Sequence, residues 1–159
     1  MEMVNRTIEI FMPVNSANDV RSAGMIFGSL PFLSRINLWS AMPIDMELPD
    51  NISLLQVDSL TSTDLFKDMA KRASADFVLY MGKPYVELYP EKLVALCEAM
   101  PDEATMAYAH YRKRLNGEVA DAPTIECLEG SLRNDFDFGP VRLFRTSALK
   151  RYLETELAE

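Results

Sequence analysis

The sequence is poor in the residue types on which several common site motifs depend. It has six glycines and one histidine. No G-x-G-x-x-G follows the first predicted strand and no Walker A sequence occurs, so the chain gives little support to a dinucleotide-binding or P-loop site. A serine hydrolase triad is also unsupported, because His110 is the only histidine and no G-x-S-x-G is present. The alternating residues around His110 predict a sheet side chain there.

Cysteine is equally scarce. Cys97 and Cys127 are the only two, and their separation matches no metal-binding spacing. Each lies in an apolar segment, which predicts two buried thiols. Reduced cysteines are typical of cytosolic proteins, so we expect a cytoplasmic location.

Positive charge is in deficit, with 16 Lys and Arg against 24 Asp and Glu and a net charge of -8. Nucleic acids and anionic membranes are bound through a basic face, so neither is expected as a partner. An anionic substrate would need a local basic group or a metal ion. No apolar run is long enough to span a bilayer, and the first residues lack the pattern of a signal peptide.

What the chain does have is a regular alternation of strand and helix signals. Short apolar, β-branched runs end at polar or proline-rich turns, and amphipathic stretches with capping residues lie between them. Strands are predicted over residues 7–14, 34–40, 52–57, 76–81, 104–112 and 141–145. Helices are predicted from Asn18 or Asp19 to about Leu30, from 62–64 to 73, from 90 to about 100, and from 146 or 147 onwards. The Asn116-Gly117 pair predicts a hairpin turn over residues 114–119.

This alternation predicts an α/β domain: a Rossmann-like, mostly parallel sheet with helices on both faces and the first four strands parallel. Right-handed crossovers then bring the carboxyl ends of the strands to one edge, where ligands of open α/β sheets bind. Polar residues follow the predicted strands at this edge. We expect the largest polar cleft there, bordered by Asn15, Asp45 and Lys83.

Asp135 and Asp137 form the only Asp-x-Asp of the chain. In a strand or loop, alternate side chains lie on one side, so the two carboxylates can share a hard divalent cation such as Mg²⁺ or Mn²⁺. No histidine cluster accompanies them, which argues against a transition-metal centre. The alternative is a structural loop in which Phe136 and Phe138 pack inward and the acids face water.

The order of these segments resembles the inverting glycosyltransferases of the GT-A fold, family 2-like nucleotide-diphospho-sugar transferases. IEIFMPVNSANDVRSAG is similar to the opening strand, loop and helix of that family. VDSLTSTDLFKDMAKRASADFVLYMGK resembles its third strand, second helix and fourth strand. EGSLRNDFDFGPVRLFRTSALK resembles the later segment with an F-R-x-x-L strand-to-helix step. The resemblance covers nearly the whole chain.

The resemblance implies transfer of a sugar from a nucleoside diphosphate sugar to a glycan or other acceptor. It places the nucleotide at residues of the strand-end loops, with Lys83 near the diphosphate and Asp135 or Asp137 on the acceptor or metal side. The implied nucleotide-binding residues are Pro13, Val14, Asn15, Asp45, Asp58 and Lys83. The resemblance implies a catalytic base near the end of this chain or beyond it, and no residue of the sequence is identified as that base.

Two departures from the family pattern bear on the activity. The metal-binding Asp-x-Asp of the family follows the fourth strand, where this chain has Gly82 and Lys83. In the loop after the second strand, Asp45 is the acid nearest the family's position. A lysine could supply part of the electrostatic stabilisation that the metal gives the leaving diphosphate.

We therefore expect residues 1–159 to form one nucleotide-sugar-binding domain, the N-terminal part of a longer chain. The alternative hypothesis is a non-catalytic α/β module that binds a nucleotide or a partner protein. A third hypothesis, a Rossmann-like enzyme of another class, lacks the glycine motif.

Overall fold

A computed structural model describes residues 6–30, 32–61, 63–84, 88–122 and 138–157. Eight strands and four helices lie in these ranges. Their order is β1 (Ile8–Pro13), α1 (Ala17–Phe27), β2 (Leu33–Ser40), β3 (Ile52–Gln56), α2 (Asp64–Arg72), β4 (Phe77–Met81), α3 (Pro90–Ala99), β5 (Met106–Tyr108), β6 (Tyr111–Leu115), β7 (Glu118–Ala122), β8 (Val141–Arg145) and α4 (Thr146–Leu157).

Six of the strands form one sheet in the order β3-β2-β1-β4-β8-β5. The first four are parallel to one another. β8 runs antiparallel to both of its neighbours, β4 and β5. The predicted mostly parallel sheet, with its first four strands parallel, is confirmed.

Helices cover both faces of this sheet, as predicted. α1 and α3 pack on one face through Val20, Phe27 and Leu93, against alternate strand residues such as Ile10 and Leu79. The other face packs α2 and α4 against a second group of strand side chains, which includes Phe11, Trp39, Val78 and Phe144. The alternation of strand side chains divides the core between the two faces.

α1 begins earlier than predicted. Its N-cap is Ser16, whose hydroxyl accepts a hydrogen bond from the Asp19 backbone N–H at 3.3 Å. Asn18 and Asp19, the two predicted caps, lie inside the helix, which ends at Phe27 rather than near Leu30. All three residue types favour N-caps, so local sequence does not choose among them.

The predicted strand over residues 104–112 is divided between two sheets. β5 pairs with β8 up to Tyr108, opposite Arg142. β8 begins at Val141, so the pairing ends there and the chain leaves the main sheet. β6 and β7 then form a separate two-stranded sheet. The predicted turn at Asn116-Gly117 is confirmed, with φ of 52° and 83° at the two positions, which suits a type I′ hairpin.

A buried carboxylate lies in the first strand. Glu9 is 2% exposed. Its Oε1 accepts hydrogen bonds from the backbone N–H groups of Ser74 and Ala75, both at 2.9 Å, and from the Ser74 hydroxyl at 2.6 Å. Asn37 donates to Oε2 at 3.4 Å and accepts from Ser53 at 2.9 Å. This network connects β3, β2 and β1 to the turn between α2 and β4.

No helix among the described residues is long and apolar enough to cross a membrane.

Candidate functional site

The carboxyl ends of β1 and β4 lie side by side at one edge of the sheet. From β1 the chain passes through α1 to β2 on one side, whereas β4 lies on the other side. The order of the strands therefore reverses between β1 and β4. In open α/β sheets such a switch point forms a crevice in which ligands bind. Asn15 follows β1 and Lys83 follows β4, so both lie in the loops that border this point.

The loop after β1 is closed by an acidic side chain of its own helix. The Asp19 carboxylate is 3% exposed and accepts a hydrogen bond from the Asn15 backbone N–H at 2.8 Å. Ser16 accepts from the Asp19 backbone N–H. Asp19 thus places a negative charge at the positive, N-terminal end of α1. It also occupies the Asn15 backbone N–H, a donor that a bound anion would need. This helix end is a poor site for a phosphate group.

The six nucleotide-binding residues implied by the resemblance differ in their burial and their contacts. Val14 is fully buried in the core, and its N–H donates to the Trp39 carbonyl oxygen at 2.8 Å. Pro13 ends β1 and is half-buried. The remaining four are exposed at the ends or connections of strands: Asn15, Asp45, Asp58 and Lys83. Among the described residues no hydrogen bond or ion pair connects these four side chains to one another.

Asp135 and Asp137 lie outside the described residues. Within the described ranges, no group of three or more His, Cys, Asp and Glu side chains is placed to hold a metal ion. The proposed metal site at Asp135 and Asp137 therefore stays a prediction.

A concavity of about 150 Å³ opens on the α2 side of the sheet, beside the carboxyl end of β4. Its walls come from the connection before α2, the first turn of α2, and the adjoining strands β4 and β8. The lining residues are Leu60, Thr61, Leu65, Phe66, Tyr80, Arg142 and Phe144. We call it the Arg142 pocket.

Arg142 is the cationic group of this pocket. Its guanidinium carbon lies 5.9 Å from the centre of the Tyr80 ring and 5.7 Å from that of the Phe138 ring, within cation–π distance of both. Its Nε atom is buried and has no hydrogen-bond partner among the described residues. No carboxylate in those residues lies within ion-pair distance of the guanidinium. Because Nε is buried, a ligand in the pocket would meet the terminal N–H groups of the guanidinium, which are suited to binding an oxyanion.

A second concavity, of about 420 Å³, lies further along the same face between α2, α4 and β8. Phe66, Phe144 and Tyr152 form its wall, with edge-to-face ring contacts at 5.6 and 5.2 Å. It is mainly apolar. Neither concavity is lined by Asn15, Asp45 or Lys83, so the polar cleft expected between these three residues is not one of the two.

No motif in the sequence predicts a functional role for Arg142. The strand that carries it was predicted, but its position depends on β8 lying antiparallel beside β4. That arrangement makes Arg142 the direct register partner of Tyr80. The only local signal was an arginine at the beginning of an apolar strand directly after Gly139-Pro140.

No protein-family model matches the chain, and no curated protein matches it. Solved structures with a similar fold do exist. One is 4-diphosphocytidyl-2C-methyl-D-erythritol synthase from Anaerococcus prevotii, with a TM-score of 0.54 and 12% identity over 99% of this chain and 78% of that one. A second is CMP:2-keto-3-deoxy-manno-octonic acid synthetase complexed with CTP, with a TM-score of 0.51 and 11% identity over 93% of this chain and 78% of that one.

The bifunctional IspDF from Campylobacter jejuni is a third, with a TM-score of 0.53 and 12% identity over 93% of this chain and 43% of that one. At such low identity these similarities establish the fold alone. The chain has a Rossmann-like α/β fold similar to the folds of these enzymes, in agreement with the predicted fold class.

Proposed function

We propose that this chain binds a nucleoside diphosphate sugar at the carboxyl edge of its parallel strands and takes part in transfer of the sugar to an acceptor. The observation that carries the proposal is the switch point between β1 and β4, with Asn15 and Lys83 in the two loops that border it. The fold of nucleotide-using enzymes and the resemblance of the sequence segments to GT-A glycosyltransferases support the same ligand class.

In this proposal the nucleoside lies near the loop after β1 and the diphosphate near the loop after β4. Pro13, Asn15, Asp45 and Asp58 would contact the base or ribose, with Val14 supporting them from the core. The buried Asp19 carboxylate favours this orientation, because it makes the beginning of α1 unfavourable for phosphate. Lys83, exposed after β4, would approach the diphosphate.

The chemistry of transfer is a substitution at the anomeric carbon. The acceptor hydroxyl oxygen forms a bond to that carbon, the bond to the diphosphate oxygen breaks, and the nucleoside diphosphate leaves with the electron pair. Positive charge near the diphosphate stabilises this leaving group. Asp135 and Asp137 are proposed either to hold Mg²⁺ or Mn²⁺ there or to orient the acceptor.

Nucleotidyl transfer from CTP is a second candidate. It is favoured by the fold similarity to a synthetase whose structure was determined with CTP. The closed loop after β1 argues against it, because a triphosphate needs more donors and positive charge than Asn15, Ser16 and Asp19 leave available there.

Thermal unfolding with a ligand panel tests the proposal. The panel contains UDP-, GDP- and CDP-sugars, the free nucleoside diphosphates and CTP, each with EDTA or with Mn²⁺. A ligand that binds only the folded protein at about 100 times its Kd stabilises the protein by about 2.7 kcal/mol, so a bound sugar nucleotide raises the midpoint. Stabilisation by CTP alone would favour the second candidate.

Lys83→Ala is the matching variant, and Lys92→Ala, at an exposed position of α3, is its control. Loss of a charge-assisted contact weakens binding by roughly tenfold or more. Lys83→Ala should therefore raise the Kd for the sugar nucleotide, and Lys92→Ala should leave it unchanged. Release of nucleoside diphosphate from a bound sugar nucleotide then separates an enzyme from a non-catalytic module. No stabilisation by any nucleotide would contradict both proposals.

A further inference from the structure

We propose that the Arg142 pocket is an oxyanion subsite that takes a phosphate group of the ligand by direct contact with the guanidinium. The inference relies on the proposed function for the whole ligand, a nucleoside diphosphate sugar. The phosphate contact itself can be measured separately with inorganic pyrophosphate.

The state of Arg142 is the first argument. A buried polar atom without a hydrogen-bond partner is costly, and such groups are uncommon in folded proteins. Among the described residues, the buried Nε of Arg142 has no partner and the guanidinium has no carboxylate as counter-charge. Two aromatic rings, of Tyr80 and Phe138, hold the side chain in place. A fixed guanidinium without a counter-charge can bind phosphate through its terminal N–H groups with little loss of conformational entropy.

The position of Arg142 in the sheet is the second argument. It is the register partner of Tyr80, one residue before the end of β4. Beyond that end, the Gly82 backbone N–H donates to the Pro140 carbonyl oxygen at 2.9 Å. This bond keeps the beginning of the loop that carries Lys83 beside the segment that leads into Arg142. Two cationic residues, Lys83 and Arg142, therefore belong to adjoining segments at the edge assigned to the diphosphate.

The size of the pocket limits what it can hold. Sites that enclose a whole drug-sized ligand have volumes of about 300 Å³ or more. At about 150 Å³ the Arg142 pocket accommodates one part of such a ligand. A phosphate group, with the rest of the ligand extending along the strand ends towards Asn15, fits both its size and its charge.

Direct contact with Arg142 gives the phosphate its counter-charge without a metal ion. We therefore expect pyrophosphate to bind in the presence of EDTA, with an affinity that falls as salt concentration rises.

The experiment is calorimetric titration of the whole chain with inorganic pyrophosphate in EDTA. Arg142→Gln should weaken binding by roughly tenfold to a hundredfold, as expected for loss of hydrogen bonds to a charged group. Arg142→Lys retains the charge but not the paired donors and should give an intermediate Kd. The control is Arg35→Gln, at an exposed position near the beginning of β2, away from the carboxyl edge; it should leave the Kd unchanged.

The outcome with Arg142→Gln decides the proposal, and Arg142→Lys decides it if the glutamine variant does not fold by circular dichroism. An unchanged Kd, no binding by the wild type, or binding that needs Mn²⁺ and ignores position 142 would overturn the subsite. If pyrophosphate binding depends on Arg142 but no sugar nucleotide binds, the subsite stands and the proposed function fails. If sugar nucleotides bind equally well to Arg142→Gln, the function stands and the subsite fails.

Discussion

Glu9 shows how a single charged residue can be built into a sheet core. Its carboxylate serves as acceptor for three donors of Ser74 and Ala75, which closes the turn between α2 and β4. The sequence around it, TIEIFMPV, predicts only a buried strand with one acid in it. Its partners lie far along the chain, so no local pattern could identify them.

Glu9→Ala should therefore destabilise the protein strongly. The buried Ala75 N–H loses its acceptor, whereas the donors of the exposed Ser74 can turn to water, so the free energy of unfolding should fall by roughly 1–3 kcal/mol. Urea titration measures this change. Glu47→Ala, at an exposed position of the β2–β3 connection, is the control and should change it by less than about 0.5 kcal/mol. Equal effects of the two substitutions would contradict the role given to Glu9.

The buried thiol of Cys97 gives a prediction about its reactivity towards alkylating agents. It is fully buried in α3. Burial raises the pKa of its thiol from 9.0 to about 11; Glu98 adds to the increase and Arg145 opposes it. In a Cys127→Ser background, we expect almost no alkylation of the folded protein at pH 8 and rapid alkylation after unfolding, because the thiolate is the reactive form.

The raised pKa of Cys97 also predicts how the free energy of unfolding changes with pH. The protonated thiol is favoured by the fold, so its contribution is complete below pH 9 and is lost as the pH rises towards 11. Cys97→Ala removes this titration. Between pH 9 and 11, the free energy of unfolding should fall more steeply in the Cys127→Ser protein than when Cys97→Ala is added. Parallel curves would show that the thiol pKa is not raised.

At the scale of elements, the β6–β7 hairpin depends on its turn. Gly117 has φ of 83°, and a Cβ placed on it would meet no atom within 4 Å. Gly117→Ala is thus a test of backbone conformation without a steric clash, and it should destabilise the hairpin. Amide exchange should become faster over residues 111–122 and stay unchanged in β1. The control is Asn116→Gly, which keeps positive φ accessible and should leave the amide protection of residues 111–122 unchanged. If Gly117→Ala reduced amide protection in β1 as much as in the hairpin, the hairpin would not be an independent element.

The elements also show where local sequence is sufficient. The alternation of apolar strands and amphipathic helices predicted β1 to β4 and their direction, and the Asn-Gly pair predicted the hairpin. The division of residues 104–112 between β5 and β6 could not be predicted, because it depends on where β8 begins. The N-cap at Ser16 was missed since three neighbouring residues have similar capping preference.

For the molecule as a whole, the sequence predicted the strands that form the carboxyl edge, and the binding residues assigned to that edge stay predictions. Asn15 and Lys83 do follow the two strands of the switch point. Arg142 was missed, because antiparallel insertion of β8 makes the beginning of a strand, rather than its end, face the carboxyl edge. The strand-end rule considers only residues that follow a strand, so it does not predict a binding residue at the beginning of β8.

The predicted acidic pair gives a test on the whole molecule. If Asp135 and Asp137 hold a divalent ion against a bound nucleoside diphosphate, Mn²⁺ should raise the unfolding midpoint further than the nucleotide alone. The double variant Asp135→Asn, Asp137→Asn should abolish only this additional increase. A full Mn²⁺ effect in the double variant would remove the pair from the site.

Tyr80 and Arg142 come from strands that are not consecutive in the chain, and they meet only because β8 pairs with β4. β1 and β4 are as far apart along the chain as β4 and β8, so sequence separation gives neither pairing precedence during folding. The Arg142 pocket therefore exists only in molecules in which β8 has docked. A ligand held there would select such molecules, and a chain that had folded only through β4 would not respond to it.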